Sequence, residues 1–213
     1  KVWVLEEMIL AGLKHLEVTN FGNPKGMPQF KDADDLWIDL KNFVKTGDFT
    51  LGAPLKEFEE KFAALIGSKH AIGVNSGTDA IKLSLKAKGI KAGDEVITTA
   101  NTFVATVGAI AELGAIPVFV DCNDTFCMDV DLLERAITEN TKALLPVHFT
   151  GYMTDMRVMN RLSNKYNIPV IEVACQSILG AIDGKNAGTW GKTGAFSLHP
   201  LKNINVWSDG GVI

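Results

Sequence analysis

Apolar positions recur along the chain at two different intervals, and the change of interval divides it. Leu5, Met8, Ile9, Leu13 and Leu16 lie three or four residues apart, as on one face of a helix. Leu36, Trp37, Leu40, Phe43 and Val44 do the same within a second predicted helix, about Asp32–Lys45. Gly22, Pro24, Gly26 and Pro28 predict a loop from Asn20 to Pro28, and Thr46-Gly47-Asp48 predicts the stop of the second helix. Phe49–Pro54 reads as a turn, with Pro54 near the first turn of a third helix that ends at Gly67.

From His70 onward, short apolar runs alternate with helical patterns. The predicted strands are His70–Val74, Glu95–Thr98, Pro117–Val120, Lys142–Val147 and Pro169–Val173. The helices between them are Asp79–Lys88, Phe103–Leu113, Val130–Ile137 and Met153–Tyr166. Runs that are apolar on both sides, separated by helices, predict an α/β fold: an open, mostly parallel sheet covered on both faces. In such sheets ligands sit at the carboxyl ends of the strands. The last such run, Gly194–Leu198, carries Ser197, breaks at Pro200 and delivers Lys202 into a turn, before Ser208-Asp209-Gly210-Gly211.

Composition narrows the function classes. The 213 residues are 46% hydrophobic and 22% charged with a net charge of −4, enough for a sizeable core and without the basic excess that nucleic acid or an anionic membrane would call for. Cys122, Cys127 and Cys175 are odd in number and lack CxxC spacing, which fits a reducing cytoplasm better than a disulfide framework. Glu6 and Glu7 interrupt any signal-peptide core, and the apolar stretch Phe103–Val120 contains Glu112, Gly114 and Pro117, so it reads as helix then strand rather than a membrane span. No Met opens the chain, and it stops at Gly211-Val212-Ile213 as if inside a strand, which reads as a fragment.

Several residues at predicted strand ends carry candidate chemistry. Lys202 in an enclosed site is a nucleophile suited to Schiff-base formation, although a lysine taken alone is more often a solvated loop residue. Gly77 and Thr78 follow a strand and open a helix, an arrangement that caps a helix or, with its free N–H groups, receives a phosphate. Phe103 could stack on a flat ring or fill a core, Gln176 could reach a ring hydroxyl or cap a strand, and Ser197 could share a phosphate with Thr78. No metal-ligand spacing is present.

The order and wording of Gly52-Ala53-Pro54, Val74-Asn75-Ser76-Gly77-Thr78-Asp79-Ala80, Asn101-Thr102-Phe103-Val104-Ala105-Thr106, Val170-Ile171-Glu172 and Phe196-Ser197-Leu198-His199-Pro200-Leu201-Lys202-Asn203 resemble the sugar-nucleotide aminotransferase family, the DegT/StrS type, from about Thr46 to the end. The resemblance implies a three-layer αβα sandwich, the large domain of a fold type I pyridoxal-phosphate-dependent transferase, over residues 47–213, with a helical segment over 1–46 before it and the small C-terminal domain missing. It implies pyridoxal 5'-phosphate as cofactor, Lys202 as its Schiff-base lysine, Gly77, Thr78 and Ser197 on the phosphate, Phe103 on the pyridine ring and Gln176 at its 3-hydroxyl. His148 and His199 match positions near the site and read as satisfied structural histidines.

One position departs from that family's pattern. Where its strand carries an aspartate that pairs with the pyridine nitrogen, this chain has Val173; Glu172 next to it would need a one-residue slip or a bulge to take over. The expected function is amino transfer to the keto group of a nucleotide-linked deoxy sugar, with glutamate as donor, in cell-surface or secondary-metabolite sugar biosynthesis. The alternatives are a family member that binds the cofactor without turnover, because of Val173, and a sugar dehydratase, which carries histidine where this chain has Lys202. A cytoplasmic homodimer with shared active sites is the expected form.

Overall fold

The computed structural model describes residues 41–48, 50–206 and 208–213. The predicted first helix, the Asn20–Pro28 loop and the start of the second helix lie outside the described residues. The chain divides into two compact units, Lys1–Glu57 and Phe58–Ile213. In the first, residues 41–46 are helical. The Thr46 hydroxyl donates to the Phe43 carbonyl at 2.7 Å, Gly47 adopts a φ of 69°, and the Asp48 carboxylate accepts the Ala53 N–H at 2.9 Å. Helix α1 (Ala53–Ile66) then begins with Pro54 in its first turn, where a missing N–H costs no hydrogen bond.

The second unit runs β1 (Gly73–Val74), α2 (Gly77–Ala87), β2 (Glu95–Thr99), α3 (Val104–Ala111), β3 (Ile116–Val120), α4 (Val130–Ala136), β4 (Thr141–Leu144), α5 (Met156–Tyr166) and β5 (Ile171–Val173). A hairpin of β6 (Ala181–Ile182) and β7 (Lys185–Asn186), then β8 (Thr193–Ser197) and β9 (Gly211–Val212), complete it. The predicted strands and helices appear in the predicted order, with ends displaced by a few residues. The hairpin was not anticipated, though Asp183-Gly184, both at positive φ (52° and 75°), carries the two-residue turn signal for it.

Parallel pairing joins β3, β2 and β4 on one side and β5 with β8 on the other. Isolated parallel bridges from Leu144 to Val170 and from Val147 to Val173 connect the two groups. Strand β9 runs antiparallel between β8 and β1. The spatial order is therefore β3-β2-β4-β5-β8-β9-β1, with β9 alone reversed. Predicted strand His70–Val74 shortens to Gly73–Val74, and its neighbour Ile72 exchanges backbone bonds of 2.9 Å in both directions with Ile213.

Neighbouring residues in the central strands face opposite layers, which is how one sheet supports two cores. Val96, Leu145 and Ile171 pack with Ile81 and Leu85 of α2 and Ala109 and Ile110 of α3. Ile97, Leu144 and Val170 pack instead with Leu133 of α4 and Met156, Met159 and Leu162 of α5. A third cluster sets Phe62 and Ile66 of α1 against Phe196, Leu198 and Val212, with the Phe62 and Phe196 rings edge to face at 5.1 Å. The result is the predicted three-layer αβα sandwich. Among the described residues no helix is long and apolar enough to cross a membrane.

The segment between β7 and β8 crosses the sheet so closely that glycines are required. A Cβ on Gly188 would enter the Phe196 ring at 2.6 Å from Cε2, and one on Gly194 would fall onto the Gly188 backbone. Because backbone cannot rotate aside as a side chain can, Gly194→Ala is expected to cost about 2–3 kcal/mol. Equilibrium urea unfolding checks this; an unchanged midpoint would show that the crossing is loose.

Candidate active site

A cavity of about 250 Å³ opens at the carboxyl ends of the parallel strands. Five chain segments converge on it, and they bring together all seven residues singled out from the sequence: Gly77, Thr78, Phe103, Val173, Gln176, Ser197 and Lys202.

The first wall is the start of α2. Ser76 caps this helix, its hydroxyl accepting the Asp79 N–H at 3.1 Å and its carbonyl accepting that of Ala80 at 3.0 Å. The N–H groups of Gly77 and Thr78 then have no partner among the described residues, as the first turn of a helix requires, and they bring the positive end of the helix dipole to the cavity. Gly77 is there because nothing larger fits: a Cβ would lie 2.6 Å from Ser197 Cβ, 3.1 Å from Ser197 Oγ and 3.2 Å from Cys175 Sγ. On the far side, a Cβ on Gly211 would overlap the Ser76 carbonyl, so β9 also passes the helix end only as glycine. Two open amides, the Thr78 hydroxyl and the Ser197 hydroxyl thus share one end of the cavity.

The second wall is the loop after β8. Leu198 anchors it, donating to the Gly210 carbonyl at 2.8 Å and accepting from the Val206 N–H at 2.9 Å. Within it, the Lys202 N–H donates to the His199 carbonyl at 2.8 Å, and His199 Nδ1 accepts the Leu201 N–H at 3.2 Å. This tight turn leaves Lys202 half-buried on the cavity. His199 is exposed at the rim, and Asp209, two residues before Gly211, also lines the cavity. Asp209 was not singled out from the sequence; its position just before the Gly210-Gly211 pair was the available signal.

The rim and floor come from the exits of β2, β4 and β5. Phe103, 65% exposed, stands at the rim just before α3. Gln176 accepts the Thr150 N–H through Oε1 at 3.4 Å. Cys175, also unanticipated, places its thiol beside Gly77 and donates to the Ala195 carbonyl at 3.4 Å. Burial pushes that thiol up to about 12, against the pull of the Lys202 ammonium.

Val173, 3% exposed, belongs to the floor, in the same core cluster as Ile171, Val147 and Ile81. Strand β5 pairs with β8 without a slip, Glu172 opposite Gly194 and Val173 opposite Ala195. The slip or bulge that would have turned Glu172 into the cavity is absent. Glu172 points to the opposite face, wholly buried, and its carboxylate accepts four N–H groups: Nε2 of His148 at 2.9 Å and the backbones of Gly188 at 2.9 Å, Trp190 at 2.6 Å and Gly191 at 2.6 Å. His148, also fully buried, accepts the Thr154 N–H on Nδ1 at 3.3 Å, so both ring nitrogens are engaged.

A family model described as the DegT/DnrJ/EryC1/StrS aminotransferase family matches residues 32–213. A pleiotropic regulatory protein of Geobacillus stearothermophilus is 43% identical over 175 residues, 82% of this chain and 47% of the relative. A dTDP-3-amino-3,4,6-trideoxy-alpha-D-glucose transaminase of Micromonospora megalomicea subsp. nigra is 38% identical over 184 residues, 86% of this chain and 49% of the relative. The crystal structure of NtdA from Bacillus subtilis with bound cofactor PMP superposes with a TM-score of 0.80 at 37% identity, covering 94% of this chain and 45% of that one. The chain spans about half the length of the relatives it matches.

Two outcomes follow from the site's geometry. Glu172→Gln replaces an acceptor of four donors by a group that itself carries N–H, and is expected to lower stability by about 3 kcal/mol, the scale for breaking a buried charged partnership; urea unfolding measures it. The Cys175 thiol should stay protonated until pH approaches 12, so its alkylation by iodoacetamide should be slow at neutral pH and accelerate only in strong alkali. Rapid labelling of Cys175 in the folded protein at pH 7, followed by peptide mass spectrometry, would contradict this.

Proposed function

The chain belongs to the DegT/DnrJ/EryC1/StrS aminotransferase family, and from that membership we propose that its cavity is the cofactor site of a pyridoxal-phosphate-dependent aminotransferase acting on the keto group of a nucleotide-linked deoxy sugar, with glutamate as amino donor. The observation that carries this reading is the convergence of Lys202 with the open α2 terminus and Ser197 on one cavity. A phosphate suits the cradle of Gly77, Thr78 and Ser197, where uncommitted amides, two hydroxyls and the helix dipole favour an anion. The required absence of a Cβ at Gly77 supports the same fit, since the backbone is held close to Ser197. At one point the residues do not match the group: among the described residues, no carboxylate stands on the floor at Val173.

Pyridoxal phosphate, when bound, supplies an electron sink that lets a proton leave the donor's α-carbon. The chain's own residues would do the rest. Lys202 Nζ would be the nucleophile for the cofactor's aldehyde carbon and, once the donor amine had displaced it, the base that would take the proton from the donor's α-carbon and deliver it to the carbon that had borne the aldehyde. Phe103 would cover one face of the ring, and Gln176 would reach its hydroxyl. Ile81, Val147 and Val173 keep water from the inner wall.

The nucleotide-sugar class is supported by the name of the Micromonospora relative. A cytoplasmic homodimer with shared sites belongs to the same reading, in keeping with three free cysteines. A second reading, cofactor binding without turnover, is favoured by Val173 and by the regulatory name of the Geobacillus relative. Lys202 speaks against the dehydratase alternative.

Adding pyridoxal phosphate to the purified protein is expected to produce the absorption band of lysine-linked cofactor, absent in Lys202→Ala. Glutamate is then expected to bleach the band as the amine form appears. A band unchanged in Lys202→Ala would remove Lys202 from its role, and one that forms but ignores glutamate would select the second reading.

A further inference from the structure

The chemistry of the ring decides which wall its nitrogen meets. In pyridoxal phosphate the nitrogen lies across the ring from the carbon that bears the aldehyde. With the aldehyde at Lys202 and the phosphate at Gly77, Thr78 and Ser197, the nitrogen would face away from the lysine, toward the buried side of the cavity. This placement rests on the function proposed above.

That buried side consists of Ile81, Val147 and Val173, with Thr106 and His148 beside them. We infer that the pocket holds the cofactor ring with its nitrogen unprotonated at neutral pH, because the wall it faces is apolar and, among the described residues, supplies no carboxylate. Removing a pyridinium from water without an anionic partner disfavours the charged form.

Among the described residues, the other titratable groups around the cavity are committed or lie elsewhere. Glu172 is on the opposite face of β5 with four donors on its oxygens. His148 is bonded through both ring nitrogens. Asp209 stands at the phosphate end, its Oδ1 accepting the Gly210 N–H at 2.8 Å, two residues before the Gly211 that pairs with Ser197. His199 is on the exposed loop, Lys202 is taken by the aldehyde, and the Cys175 thiol is held protonated by burial. The Thr106 hydroxyl shares a hydrogen bond of 2.8 Å with Thr102 and carries no charge. Val173 is therefore the position that sets the charge of the ring.

The test is the nitrogen NMR signal of pyridoxal phosphate labelled with nitrogen-15 in its ring, bound to the purified protein and followed from pH 6 to pH 8. The wild-type signal is expected at the frequency of an unprotonated pyridine throughout. Val173→Asp is expected to move it to the protonated frequency, whereas Glu172→Gln, whose side chain lies on the opposite face of β5, should leave it where it was. A protonated signal in the wild-type protein would overturn the inference while leaving the cofactor site standing, and this arm needs no variant to fold. If no lysine-linked band forms in the wild-type protein, the functional reading fails and takes the inference with it.

Discussion

A buried carboxylate organises the sheet around the site. Glu172 lies in the middle of β5 with no exposure to water, a position that is costly for a charged group unless donors replace its hydration shell. The chain supplies them from two separated places: the imidazole of His148 after β4, and three consecutive-region amides at Gly188, Trp190 and Gly191 before β8. Satisfying one side chain therefore fixes the exit of β4 and the entry of β8 relative to β5. The segment that carries these amides also lies against Val170, Gly194 and Phe196 at distances that only glycine permits at Gly188, Gly191 and Gly194.

Because strand side chains alternate, this commitment decides what the cavity sees. With Glu172 held on the face of β5 opposite the α2 layer, Val173 must face α2 and close the floor. A hydrogen-bonded carboxylate on one face and an apolar floor on the other are two consequences of a single register. The mouth is different in character: the open amides of α2, the Ser197 hydroxyl and Lys202 all lie at the carboxyl ends of strands, where parallel packing leaves backbone groups and loops free to meet a ligand.

The reversed strand β9 completes that end. Running antiparallel to β8, it sets Gly211 opposite Ser197 and against the start of α2. The helix terminus is thereby held between two strands rather than over one, and Gly77 and Gly211 are the contacts where the backbone itself touches. An end with open amides and hydroxyls and an apolar inner wall within one cavity would suit a ligand with a phosphate at one side and a flat ring at the other.

Much of this was legible in the chain itself. The alternation of apolar runs with helical spacing gave the layers, since period is a local property, and the Gly77-Thr78 turn, Ser197 and Lys202 stood at strand ends in the pattern. The hairpin at Asp183-Gly184 was also written locally, although too short to register as apolar runs. What tertiary structure alone decided was orientation and distance. Whether Glu172 could turn toward the cavity depended on the pairing of β5 with β8, on His148 some two dozen residues earlier and on amides nearly as far ahead, none of which local spacing encodes. Cys175 and Asp209 became site residues for the same reason: a cavity is formed by segments that meet only after the sheet is assembled, and hydrogen-bond donors distant in sequence determine which face each side chain takes.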